Sequence, residues 1–168
     1  MAMASVDEKV ERSGRLGELY RLHASDAGRL AYLLTGDRAL AEDLVHEAFV
    51  RLYGRFQDLR SADAFPWYLR RTIVNLVRSH YRHLKVERAH LAREVRAAAP
   101  APGPDVAAKE DLWRAAQRLP ERQRTAVVLR FYEDQSEAQM AEVMACPIGT
   151  VKSLVSRGLE RLRAEIPR

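Results

Sequence analysis

The 168 residues carry 28 Lys and Arg against 23 Asp and Glu, a formal charge of +5, and their 47% hydrophobic content suffices for one ordinary domain or two small ones. One cysteine, Cys146, cannot close an internal disulfide, and five scattered histidines show no CxxC or HxxxH spacing, so neither a structural zinc site nor any cofactor is expected. No window approaches the roughly 18 uncharged apolar residues of a membrane span and the opening "MAMASVDEKVERSGR" has no apolar signal-like run, so the expectation is a cytoplasmic protein with no membrane insertion.

From Leu16 onward apolar residues recur at helical spacing: Leu30, Leu33 and Leu34, then Leu40, Leu44 and Val45, then Leu69, Ile73, Leu76 and Val77. "LTGDRALAEDL" stops one helix at Gly36 and starts another at Asp37. This second helix is locally acidic, with Asp37, Glu42, Asp43 and Glu47 against Arg38, a balance of −3 inside a basic protein. Such a face suits a positively charged protein surface and would be rejected by DNA. Leu44, Val45, Phe49 and Val50 form its apolar side, and His46 reads as a surface histidine.

The next segment reverses the sign. From Arg70 to Arg96 eight basic residues face two acids, a balance of +6, and Phe65, Trp67, Tyr68 and Tyr81 are interleaved with them. Basic side chains track phosphates, and aromatic faces stack on unpaired bases for about 1 to 3 kcal/mol each, so the combination suits single-stranded DNA. "AAAPAPGPD", Ala97 to Asp105, then supplies three prolines and a glycine with too little bulk for a core, and reads as a linker. The sequence therefore predicts an all-α chain of two small helical domains, residues 12–96 and 109–168, joined by a flexible Pro/Ala-rich tether, 97–108.

In the second half, breaks fall at Pro120, at Glu133 to Gln135 and at Ala145 to Pro147. Ser136 with Gln139 makes a capping box, and Met140, Val143 and Met144 give the short helix that follows an apolar face. Pro147 forbids continuation, and a second helix restarts with Ile148, Val151, Leu154, Val155, Leu159 and Leu162 as its stripe. Lys152, Ser153, Ser156, Arg157 and Arg161 lie mostly off that stripe. Two short helices at a tight turn make a helix-turn-helix, whose second helix fits the major groove. The bland alternative is an α-hairpin with a solvated basic face.

"LPERQRTAVVLRFYEDQSEAQMAEVM" followed by "GTVKS" resembles the σ4 domain of bacterial extracytoplasmic-function (ECF) sigma factors of the sigma-70 family, and the spelling of both halves is that of the actinobacterial SigE-like subgroup. The resemblance runs from about Leu16 to Arg163 in the family's order. It implies a protein that binds core RNA polymerase and directs it to promoters. The helix holding "GTVKS" would read the −35 element, with Thr150, Lys152, Ser153, Ser156, Arg157 and Arg161 toward the groove and Arg122 and Arg124 near phosphates. "LTGDRALAEDLVHEAFVRLYGRF" resembles region 2.2, which grips the β′ clamp helices, and assigns that contact to Asp37, Glu42, Asp43, Leu44, Val45, His46, Glu47 and Phe49. The following segment resembles regions 2.3 and 2.4, which capture the opened −10 element. It assigns that work to the Leu59 to Pro66 loop, here Arg60, Ser61, Asp63 and Phe65, and to Trp67, Tyr68, Arg71, Asn75, Arg78, Tyr81 and Arg82.

The implied partners are core RNA polymerase, through its β′ clamp helices and β flap, promoter DNA, and an anti-sigma factor. Four positions depart from the family pattern: His46 stands for a usual glutamine and Tyr68 for a usual tryptophan, and two more lie in the second half. Leu154 replaces a frequent arginine, and Ala145 replaces a common turn glycine, which is permissible only if the turn does not demand positive φ. A rival reading, a helix-turn-helix regulator acting without polymerase, would not need the acidic helix or the aromatic basic surface. An enzyme is not expected, since GxSxG, GxxxxGK[ST] and HxE with CxxC are all missing from the sequence.

Overall fold

Leucines and alanines at three- and four-residue spacing build the first three helices, α1 (Ala2–Thr35), α2 (Arg38–Arg55) and α3 (Phe65–Leu91). The structure is a computed structural model that describes residues 2–55, 62–91 and 107–165. α1 begins at Ala2, well ahead of the expected module start at residue 12. It ends where Gly36 takes φ +70, the left-handed conformation that closes helices, and the Gly36 amide donates to the Tyr32 carbonyl at 2.8 Å. Asp37 starts α2 by accepting the Leu40 amide on Oδ1 at 3.1 Å. A short 3-10 turn, Ala62–Ala64, leads into α3.

The three helices enclose Leu30, Ala31, Leu34, Leu44, Val45, Ala48, Phe49, Leu52, Phe65, Leu69, Ile73 and Val77, all buried. Each large member contributes about 1.5 to 3 kcal/mol by leaving water. The second half forms α4 (Ala107–Arg118), α5 (Glu121–Phe131), α6 (Glu137–Met144) and α7 (Ile148–Glu165). The capping box at Ser136 forms as the sequence predicts: its Oγ accepts the Gln139 amide at 3.3 Å, and its own amide donates to Gln139 Oε1 at 2.8 Å. Met140, Val143 and Val151 are fully buried under the turn. A Cβ at Gly158 would lie 2.7 Å from Val127 Cγ2, so only glycine lets α7 lie this close to α5.

Both helical modules form as expected, but they do not hang apart. α1 packs on α4 and α5, and α3 packs on α5 and α6, so one buried cluster runs from the three-helix module into the helix-turn-helix. Residues 97–106 of the expected tether lie outside the described residues, while Ala107 and Ala108, read from sequence as tether, already belong to α4.

Candidate polymerase and nucleic-acid interfaces

α2 presents Glu42, Asp43, His46, Glu47 and Val50 to solvent, the last four at i, i+3, i+4 and i+7. Val50 is 56% exposed, and Tyr53, which the sequence reading passed over, is 38% exposed on the same side. Its seven-residue spacing from His46 was the available signal. The apolar candidates Leu44, Val45 and Phe49 are corrected: all three are core, and Phe49 packs its ring 5.7 Å from Phe65. They shape this surface from below and cannot touch a partner. Asp37 spends its carboxylate on capping α2. The acidic excess is also smaller than the sequence balance implied, because Glu47 pairs with Arg51, a cation that balance left out.

α3 carries the basic, aromatic stripe. Tyr68, Arg71, Asn75, Arg78 and Arg82 are exposed, and Trp67 is half-buried with the Arg71 guanidinium 5.2 Å from its ring centroid and Tyr68 edge-on at 4.8 Å. Aromatic rings stack unpaired bases and neighbouring cations hold the phosphates, and this cluster places both kinds of group together. Phe65 is a second correction. It is 0% exposed, held between His23 and Phe49, because the first turn of α3 points into the module. Asp63 is exposed, and Arg60 and Ser61 lie outside the described residues.

Tyr81 sits on the flank of α3 that meets the second module. Its hydroxyl donates to the Thr35 carbonyl at 3.2 Å, and the Arg124 guanidinium lies 5.4 Å from its ring centroid. Arg124 is the third correction: at 6% exposure it does not stand ready for a phosphate but donates through Nη1 to Gln117 Oε1 at 2.6 Å. Arg122, one position away, is exposed. Beside them, burial raises the Glu121 carboxyl above its ordinary value, only partly offset by Arg122, Arg124, Arg78 and a Thr125 hydrogen bond.

On α7 four of the six side chains the sequence named face outward, and Ile148, expected in the apolar stripe, is also exposed. Lys152, Ser156, Arg157 and Arg161 are exposed, while Thr150 and Ser153 are half-buried. The Ser153 hydroxyl donates to the Thr150 carbonyl at 2.9 Å, and Lys152 lies 3.5 Å from Glu137, tying α7 to α6. Leu154 is half-buried against the core rather than in the groove-facing row. At the turn, Ala145 adopts φ 49 and ψ 54. The position does demand the left-handed conformation, and alanine occupies it at a cost of about 1 to 2 kcal/mol. Among the described residues no group of three or more His, Cys, Asp and Glu is arranged to hold a metal, and no helix is long and apolar enough to cross a membrane.

Two short helices at a strained turn beneath an exposed basic row, joined in one chain to a three-helix module with acidic and basic-aromatic faces, define a two-module promoter-recognition architecture. Comparison with known proteins agrees with it. Sigma-70 region 2 matches residues 19–86, and Sigma-70, region 4 matches residues 109–162. The chain is 36% identical over 141 residues to the RNA polymerase sigma-E factor of Streptomyces avermitilis, covering 82% of this chain and 77% of that one. It is 26% identical over 152 residues to the ECF RNA polymerase sigma factor SigM of Bacillus subtilis, covering 89% and 93%. The sigma factor RpoE of Bartonella quintana, solved with the anti-sigma factor NepR, shares the fold at a TM-score of 0.69 and 22% identity over 88% of this chain and 94% of that one. The chain belongs to the ECF sigma factors of the sigma-70 family, the subunits that direct RNA polymerase to promoters.

Proposed function

We propose that residues 12–96 bind core polymerase and open the −10 element, that residues 107–168 recognise the −35 element, and that 97–106 tether them. The observation that carries this division is the separation of three chemically distinct faces in one chain: the acidic outer face of α2, the basic-aromatic face of α3 and the polar row of α7. Glu42, Asp43, His46, Glu47 and Val50 meet the β′ clamp helices, whose cationic surface complements them. Trp67, Tyr68, Arg71, Asn75, Arg78 and Arg82 hold the unpaired strand by stacking and phosphate contacts. Lys152, Ser153, Ser156 and Arg157 enter the major groove at its N-terminal end of α7, and Arg122 and Arg161 position the module on phosphates. The β flap and an anti-sigma factor are further partners, the site of action is the cytoplasm, and the chain supplies specificity while the polymerase supplies catalysis.

The test is transcription with purified core enzyme. Reversing Asp43 and Glu47 to lysine should weaken holoenzyme assembly with helical content unchanged. Unaltered affinity for core polymerase in that double variant would remove the α2 face from the reading, and no binding of the wild-type chain to core polymerase would favour a polymerase-independent regulator.

A further inference from the structure

The two helices of the helix-turn-helix differ in charge. α6 carries Glu137 and Glu142, both exposed, and no base. In such a motif the first helix crosses the phosphate backbone, while the N-terminal end of the second reaches base edges. Cations on backbone-crossing elements supply most of the affinity that ignores sequence. An acidic α6 withholds it.

The start of α7 is equally sparing. Over residues 148–155 Lys152 is the one cation, and Leu154, half-buried against the core, adds no polar contact. The Lys152 ammonium lies 3.5 Å from a Glu137 carboxylate oxygen, with the two side chains 62% and 46% exposed. Glu137 is itself well placed to hold it: it follows the Ser136 cap as the first residue of α6, where the helix end favours negative charge. A carboxylate on a short stem at a helix end thus restrains a long, flexible side chain. Left alone, a lysine is a mobile point charge that settles on phosphate, the densest negative charge on a duplex. Drawn toward α6, it spends one donor on Glu137 and keeps two N–H groups for acceptors on a base edge, such as guanine N7 and O6. The next reading residues are restrained too: the Ser153 hydroxyl donates to the Thr150 carbonyl at 2.9 Å, and the Ser156 hydroxyl lies 3.5 Å from Glu160 Oε1.

We propose that Glu137 is a positioning residue that sets sequence discrimination: it keeps Lys152 off the phosphates and aimed at base edges, so that α7 gives up non-specific grip for selectivity. A repulsive group facing the wrong contact discriminates as effectively as an attractive one facing the right contact. The consequence for promoters rests on the −35 role proposed above, whereas the tie between Glu137 and Lys152 can be read on any duplex.

The experiment measures binding of the full chain to a −35 duplex and to a scrambled duplex over a range of salt. Glu137→Gln, with helical content unchanged, should tighten binding to the scrambled duplex by up to about fivefold, the range an exposed ion pair commands. Its salt slope should steepen by about one as Lys152 reaches a phosphate. The −35 duplex should gain less, so the ratio of the two affinities falls. Glu142→Gln removes the same charge from α6 but leaves the tie in place, and should move the slope much less. With Lys152→Gln already present, Glu137→Gln should do no more than Glu142→Gln does. A slope that Glu137→Gln leaves unmoved overturns the tie. So does an effect of equal size at Glu142 or in the Lys152→Gln background, which would make Glu137 a general repulsive charge or a helix-end stabiliser. A steeper slope with an unchanged affinity ratio overturns the role in discrimination. A wild-type chain with no preference for the −35 duplex would sink the −35 assignment of α7, while the slope on the scrambled duplex still decides the tie.

Discussion

α3 and α7 both present basic residues at helical spacing, yet only α3 loses one candidate, Phe65, to the core and another, Tyr81, to the seam between the modules. α7 packs within its own module, on α4, α5 and α6, so its outward row is decided locally. α3 is shared. One side fills the three-helix core, one side faces solvent, and the flank between them, with Arg70 and Tyr81, meets a module that begins many residues later. Burial on a shared helix is set by a second body, and local spacing carries no record of it.

The sharpest way to break that contrast is at the start of α3. Phe65→Ala should destabilise the first module by about 3 to 5 kcal/mol, visible as a lowered Tm, because it empties a fully buried site. A variant that melts normally but fails to open promoters would return Phe65 to the DNA-contacting face.

Next in size comes the division of labour. Arg157→Ala should weaken binding to −35 duplex by about 1 to 3 kcal/mol if the side chain reads a base edge, and should lower the salt slope by about one with no sequence preference if it meets only phosphate. Asn75→Ala should leave duplex binding intact and reduce permanganate reactivity of promoter thymines. Equal reactivity in wild type and Asn75→Ala would mean that strand capture lies on another helix.

A smaller effect, of opposite sign, is expected at the turn. Ala145→Gly should stabilise the second module by about 1 kcal/mol, since glycine takes φ 49 without the Cβ clash. Calorimetry of the full chain would show it, and a fall in Tm would mean that the loss of alanine's unfolded-state restriction outweighs the relief.

The smallest effect is a pH dependence. The folded Glu121 carboxyl titrates above its ordinary value, so the folded state binds the proton more tightly than the unfolded one. Its contribution to stability is therefore full below the ordinary carboxylate range and is lost as pH rises through the raised value. Glu121→Gln should flatten that part of the Tm–pH profile, and an unchanged profile would place the carboxyl in water.

Periodicity and punctuation made the helices, the capping box at Ser136, the break at Pro147 and the polar row of α7 legible, because each depends on residues within one or two turns of each other. Leu44, Val45 and Phe49 show where that reading stops. A stripe of apolar residues says that a helix has a buried side, but three of the four named on α2 turned inward and only Val50 stayed out. Arg124 misled for a different reason: its sequence environment is that of a phosphate contact, and its partners come from Gln117 and from Tyr81, far off in the chain. Ala145 was posed correctly as a question about φ, which only the backbone could answer.

The seam also has a place in time. The bond from Gln117 to the Leu33 carbonyl joins residues 84 apart in sequence, whereas a ribosome adds about 5 to 20 residues per second. α3 ends at Leu91, 26 residues before Gln117, so the three-helix module is synthesised about 1 to 5 seconds before the residue that makes that bond. During that interval the flank of α3 with Arg70 and Tyr81 is bare on every new molecule. A nascent chain is thus born open, and its first closure is a docking step whose timing is set by translation rather than by the strength of any contact.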